Sequence, residues 1–497
     1  MNFSFFLENE EATKLFAQDL AFALKRGDLV TLQGDLGAGK STFARALIHA
    51  LANDDTLDVP SPTFTLTQTY QLPQFEIIHA DFYRLSTEEE IDELGLYEAR
   101  EQSVLLVEWP EKGENLLGPA TFALTLKHEN CGRHITLISA EHSIERLQKS
   151  FAIRTFLKAH GRGHVHRYFL TGDDSTRSYE ILDDGHHQEI LMKAQTLQTT
   201  QNTAFSDVNR MNLATDIRQF VGISQLLLNH GFYAPHIFAK DFEKGLLILE
   251  DLGHEGLLDQ EGQPIEERYI ACSEFLATFH QKSWSLENQF SMFFLKIPFY
   301  DYQTMQAELS LLLDWYLPFH TQKNIEKEQR EAFFTCWKPY LEELIKTENT
   351  FVMRNYHSPN ILWREHQKGT DRIGLIDFQD GLKGPTVYDL VSLAQDAHLF
   401  ISPKLEEKLI NAYCHARHQA QNSFNEDELR KFYAVAGAQR VSKILGLFVQ
   451  LHQRDGKSSY LKHLPHMQDY LIRNLSHPIL APLYDFYKEI GLLEKTS

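Results

Sequence analysis

Residues 34–41 read Gly-Asp-Leu-Gly-Ala-Gly-Lys-Ser, a G-x-x-x-x-G-K-[ST] run whose chemistry is phosphate binding. The glycines let the backbone N–H groups of Gly34, Asp35, Gly37, Ala38 and Gly39 turn inward around phosphate oxygens, and the helix that follows adds its positive end. Lys40 reaches the β- and γ-phosphates of ATP, Ser41 offers its hydroxyl to Mg²⁺, and Thr42 follows on the same turn. Such a loop needs an acid to organise the cation and the attacking water. Asp81, after FEIIHA, and Glu108, after SVLLV, are the candidate catalytic residues, with Glu108 also a candidate metal ligand. An acid that ends an apolar strand is held at the carboxyl edge of a sheet, where α/β proteins bind ligands.

A second constellation lies far down the chain. Residues 351–363 read FVMRNYHSPNILW and residues 374–380 read GLIDFQD. Asn360 and Asp377 present the oxygen donors that a hard cation such as Mg²⁺ prefers. Asn355, in the same run, has an amide able to hydrogen-bond a hydroxyl but no charge with which to act as a base. Ser175 in the polar turn GDDSTRSY, Lys193 closing EILMK and Glu250 in LLILEDLG are candidate nucleotide contacts.

The elements that must carry these residues follow from periodicity. Ala12, Leu15, Phe16, Leu20, Ala23 and Leu24 share a helical face over 9–26, with Gly27 placed to end the helix. Strands are predicted at 29–33, 75–79, 104–108 and 121–126, and Ser86 to Glu89 has the form of a capping box. Strands alternating with helices predict a mostly parallel α/β sheet. Residues 141–160 read as a linker helix, so the first domain is 1–140 and the second 161–497. In the second, short strands at 166–171, 177–183 and 188–193 predict a small antiparallel sheet. Helical patterns dominate later, giving a small lobe over about 161–253 and a helical lobe over about 254–497.

The 497 residues exceed one ordinary core, and 43% hydrophobic with 23% charged residues describes a folded protein. A net charge of −20 disfavours direct, tight binding to a phosphate backbone. No apolar run approaches the roughly 18 residues of a membrane span, and MNFSFFLENEE lacks the form of a secretory signal. Cys131, Cys272, Cys336 and Cys414 are widely spaced, which suits reduced thiols and a cytoplasmic location.

GDLGAGKSTFARAL, PSPTFTLTQTY, HADFYRL and VLLVEWPEKG occur in order over roughly residues 5–140 and resemble the TsaE family of bacterial ATPases. That resemblance implies an ATPase working with TsaD and TsaB in making threonylcarbamoyladenosine on tRNA. It also implies a mobile loop at Ser61-Pro62-Thr63, with Thr63 near the γ-phosphate. The second half resembles the aminoglycoside phosphotransferase superfamily, nearest its AmgK-like sugar kinases. It therefore implies a bilobal α+β kinase-like fold and ATP-dependent phosphorylation of N-acetylmuramate or N-acetylglucosamine at the anomeric hydroxyl. The chain departs from the H-R-D pattern at Asn355, where the family's loop carries an acid. Three readings follow: a bifunctional enzyme, an ATPase joined to an impaired nucleotide- or sugar-binding regulatory module, or an ATPase joined to a docking scaffold.

Overall fold

The structure, a computed structural model, describes residues 2–72, 74–170, 177–194, 217–420 and 423–494. Ser175 and its neighbours 171–176 lie outside the described residues. The chain divides into two compact units, one of Met1–Lys193 with Phe238–Glu250, the other of Ala194–Ile237 with Asp251–Ser497.

The first unit opens with β1 (Asn2–Leu7), α1 (Glu10–Ala21), β2 (Leu29–Gln33), α2 (Lys40–Ala52), β3 (Thr67–Gln71) and β4 (Glu76–Asp81). It continues through α3 (Glu88–Asp92), α4 (Leu96–Ala99), β5 (Ser103–Glu108), α5 (Glu114–Leu117), β6 (Phe122–Glu129), β7 (Gly132–Ser139) and α6 (Glu141–Ala159). Seven strands form one sheet in the order β1-β7-β6-β2-β5-β4-β3. Only its centre is parallel: β2 pairs in parallel with β5 and β6, and β4 with β5, while β1, β3 and β7 add antiparallel edges. The sheet is thus mixed, because β3–β4 and β6–β7 are consecutive strands joined by short turns, which can only pair antiparallel. The capping box sits one residue later than expected. Thr87 caps α3 and Glu90 returns the bond, since Glu90 is the residue at the third helical position.

A second sheet orders β8 (His166–Leu170), β9 (Arg177–Asp183), β10 (Gln188–Ala194), β11 (Ile237–Asp241) and β12 (Leu246–Glu250) as β11-β12-β10-β9-β8. The helix α6 is more than a spacer between the sheets. Its Phe151 packs on Phe5 and Phe16 at ring distances of 5.4 and 5.6 Å. Its Ile153, Phe156 and Leu157 join Leu182, Leu191, Leu246 and Ile248 in one buried cluster. Both sheets thereby belong to one body, and the boundary expected at 141–160 becomes part of its interior.

The second unit is largely helical, with Glu266–His280, Lys327–Leu344, Pro403–Ala420 and the long Glu426–Asp455 among its helices. Two short antiparallel strand pairs, one nested inside the other, position the chemistry-bearing loops. Asn349–Val352 pairs with Leu382–Pro385, and Ile361–Trp363 pairs with Ile373–Leu375. Trp337 and Trp363 are buried, while Trp315 is half-buried. The four cysteines are free thiols. No helix among the described residues is long and apolar enough to cross a membrane.

Candidate active sites

The phosphate loop joins the end of β2 to the start of α2, as the spacing requires. Gly34, Gly37 and Gly39 all have positive φ, at 148°, 82° and 98°. Two of them are also needed for space. A Cβ on Gly34 would lie 2.3 Å from the Leu126 carbonyl oxygen, and one on Gly39 would lie 2.3 Å from Arg133 Nε. The Lys40 ammonium donates to the carbonyls of Gly34 at 2.7 Å and Asp35 at 2.9 Å. It also lies 3.8 Å from the centroid of the Trp109 ring, a cation–π contact that closes the loop from above. Burial lowers the lysine's pKa, and the carboxylates of Glu108 and Asp81 oppose that shift. Ala38 is buried, its N–H donating to Asp35 in the turn, and Thr42 stands half-buried on the first turn of α2.

Register brings the two acids together. Asp81 on β4 is paired directly with Glu108 on β5, and both are 2% exposed. Ser41 donates from Oγ to Glu108 Oε2 at 3.0 Å, so hydroxyl and carboxylate meet where a shared cation would bind. Asp81 holds the expected loop: Thr63 Oγ1 donates to its Oδ2 at 2.7 Å, and Ser61 Oγ lies 3.3 Å from the same oxygen. Trp109 also packs on Tyr83, with ring centroids 5.0 Å apart.

Two residues here escape the sequence reading. His79 Nε2 lies 3.0 Å from Glu108 Oε1, with the imidazole 1% exposed. Its signal was present, for His79 precedes Asp81 by one alternation on a strand and must face the same way. Arg133 on β7 donates from Nε to the Ala38 carbonyl at 3.2 Å. No local motif marks it, because only the sheet order carries β7 to the loop.

In the second unit the loop 353–360 and the end of the Ile373–Leu375 strand converge. Asn360 Nδ2 lies 3.0 Å from the Asn355 carbonyl, 3.2 Å from His357 Nε2 and 3.4 Å from Asp377 Oδ2. Gln379 donates to the other Asp377 oxygen at 2.6 Å. Arg354 and Asp377 both adopt left-handed backbone, at φ 66° and 54°, which is strained for side chains of their type. At Arg354 the surroundings hold the backbone in place. Asp389 accepts from the N–H groups of Met353 and Arg354 at 2.7 and 2.8 Å, and Asp396 accepts from Ser358 N at 2.8 Å. These acids hold backbone rather than substrate. Arg354 is buried against Glu308, which also takes Lys443 at 2.9 Å. Asn355 is half-buried at the turn of this loop.

Lys193 and Glu250 lie in the first unit, at the ends of β10 and β12. Lys193 shares the sheet face of Leu191, which packs on α6, and its ammonium is held by Glu180 of β9. Glu250 is half-buried, opposite Glu189 in the ladder.

A family model described as Threonylcarbamoyl adenosine biosynthesis protein TsaE matches residues 7–135, and the Phosphotransferase enzyme family matches residues 166–432. The tRNA threonylcarbamoyladenosine biosynthesis protein TsaE of Rickettsia felis is 46% identical over 121 residues, covering 24% of this chain and 70% of that protein. The N-acetylmuramate/N-acetylglucosamine kinase of Caulobacter vibrioides is 28% identical over 349 residues, covering 68% of this chain and 95% of the other. Its namesake in Pseudomonas aeruginosa is 31% identical over 266 residues, covering 52% and 72% respectively. The chain therefore belongs to two families at once, TsaE through its phosphate-loop region and the phosphotransferase enzymes through the region that follows.

Proposed function

We propose that the chain is a bifunctional enzyme. Its first region hydrolyses ATP in the tRNA threonylcarbamoyladenosine pathway, acting with TsaD- and TsaB-like proteins, and its second phosphorylates N-acetylmuramate or N-acetylglucosamine from ATP at the anomeric hydroxyl. The observation that carries the first assignment is the Ser41–Glu108 contact at 3.0 Å beside the loop-embedded Lys40. Ser41 and Glu108 would hold Mg²⁺, since both present oxygen within one site. When bound, the cation offsets phosphate charge. The residues themselves divide the remaining work. Lys40 neutralises the phosphates, Glu108 orients the attacking water, and Asp81 tethers Ser61 and Thr63 so that the loop responds to the γ-phosphate.

The second assignment rests on the Asn360–Asp377 pair, which lies 3.4 Å apart and whose amide and carboxylate oxygens would suit the Mg²⁺ that accompanies ATP. Asn355 orients the sugar hydroxyl. Phosphoryl transfer passes through a loose transition state that depends little on prior deprotonation, so an amide there slows the reaction without abolishing it. The test is the full chain carrying Lys40→Ala, incubated with ATP, Mg²⁺ and either amino sugar, with product followed by mass spectrometry. Sugar 1-phosphate is the expected result. No product from this chain, but product once Asn355→Asp is added, would instead identify a disabled kinase retained for binding. For the first region, adding TsaD and TsaB is expected to raise ATP turnover, and unchanged turnover with no complex would remove the pathway assignment.

A further inference from the structure

The first unit contains a buried charge cluster that ends on Lys193, one of the candidate nucleotide contacts. Asp19 lies on α1, in the TsaE-family region, and is 3% exposed. Its carboxylate accepts from Arg154 on α6, Nε to Oδ2 at 3.0 Å, and from Arg167 on β8, Nη1 to Oδ1 at 2.8 Å. Arg167 is fully buried and turns the rest of its guanidinium to Glu180, with Nε to Oε2 at 2.6 Å and Nη2 to Oε1 at 3.0 Å. Glu180, equally buried, also binds Lys193. Beside Asp19, Gln18 Oε1 accepts from the Arg167 backbone N–H at 2.9 Å and from Arg154 Nη2 at 3.1 Å. A second clamp lies at the end of α2, the helix that begins with Lys40 and Ser41. There Asn53 accepts from Phe169 N at 2.8 Å and donates to Phe169 O at 2.6 Å.

The charge balance crosses the family boundary. Residues matched to the phosphotransferase family begin at 166, so Arg167, Glu180 and Lys193 lie inside that match and Asp19 lies outside it. Without Asp19, Arg154 would keep only Gln18 and the carbonyls of Gly163 and Val165, and Arg167 would share the one carboxylate of Glu180 with Lys193. Leaving a buried guanidinium short of its partner is strongly unfavourable, so the strands that carry it would shift to find water or another acceptor.

We propose that Asp19 is a positioning residue for the kinase: acting through Arg167 and Glu180, it fixes the β8–β12 sheet, making the TsaE-family region a structural component of the kinase. The inference rests on the reading of the second region as an ATP-dependent kinase. The test uses full-length chains carrying Lys40→Ala, so that nucleotide effects report the second region, with Asp19→Asn, Asp19→Glu or Leu137→Ala added. Leu137 is a core residue of β7 outside the cluster, and its truncation controls for general destabilisation. Asp19→Asn is expected to raise the KM for ATP in sugar phosphorylation by about fivefold or more, within the usual range of site-to-site coupling. The KM for sugar stays unchanged, Asp19→Glu restores much of the loss, and Leu137→Ala lowers the melting temperature without moving either KM. An unchanged KM for ATP in Asp19→Asn, or an equal rise in Leu137→Ala, overturns the proposal. If no chain makes sugar phosphate, the kinase reading fails separately, and equilibrium dialysis of ATP with the same chains decides the inference. ATP bound more weakly by Asp19→Asn alone sustains it; equal affinity, or no ATP bound at all, overturns it. Should Asp19→Asn not fold, Asn53→Ala replaces it with the same expected sign and the same overturning result.

Discussion

At the scale of single residues, the first site is organised around Glu108, which touches Ser41 with one oxygen and His79 with the other. Glu108→Gln keeps the shape and removes the charge. Its ATP turnover is expected to fall by about 100-fold or more while nucleotide affinity changes little, as for loss of a group used chiefly in the transition state. Single-turnover hydrolysis alongside nucleotide titration separates the two quantities. In the second site the proposed role of Asn355 can be tested directly. Restoring an acid with Asn355→Asp is expected to raise the rate of sugar phosphorylation by about 10-fold or more, read as kcat at saturating ATP. An unchanged kcat would mean that another group receives the hydroxyl proton.

At the scale of elements, the loop of the second site is held by buried neighbours. Glu308, on the helix Tyr302–Leu311, is fully buried and bonds Arg354, Lys443 and Tyr300. Burial alone would raise its pKa, but the adjacent cations Lys443 and Arg354 hold it well below the usual carboxylate range. Glu308→Gln strands two buried cations, and is expected to cost about 3–5 kcal/mol in urea unfolding of the second unit. The imidazole cluster behind the same loop gives a pH prediction. His357 stacks on His398 at 5.1 Å, and His398 lies 5.4 Å from His463. Burial, with His398, His466 and Lys462 nearby and only Asp396 opposing, lowers the pKa of His463 from its usual 6.5 to about 4. The folded state therefore takes up a proton less readily than the unfolded chain. Stability from this residue is present above pH 6.5 and is lost as the pH falls toward about 4. The melting temperature should fall across that window, and less steeply in His463→Gln.

At the scale of the whole molecule, the family boundary and the packing boundary differ. The TsaE match ends at 135 and the phosphotransferase match begins at 166, yet residues 1–193 with 238–250 form one body. The reason is α6, whose residues fill the space against both sheets, together with the buried cluster from Asp19 to Glu180. Arg167→Met is accordingly expected to speed hydrogen exchange in α1 as well as in β8 and β9, although α1 belongs to the other family. Faster exchange confined to β8 and β9 would show that the two parts open independently.

Much of the chemistry was legible in the residues because it is local. A P-loop is a contiguous backbone device, so its spacing alone specified the loop, the entering strand and the leaving helix. Asn355, Asn360 and Asp377 likewise lie in two short runs, which two nested antiparallel pairings bring together. The partnership of Asp81 with Glu108 required strand register, and that of Arg133 with Ala38 required the strand order of a mixed sheet. Asp19 carried no signal at all: it reads as an acid in an amphipathic helix until Arg154 and Arg167 arrive from far along the chain. Local motifs determine which ligands a segment suits, since their geometry closes within a few residues. Which charges are buried together, and hence which parts of this chain form one body, is decided by contacts between distant segments, where the free energy of pairing depends on a desolvation that only the tertiary structure creates.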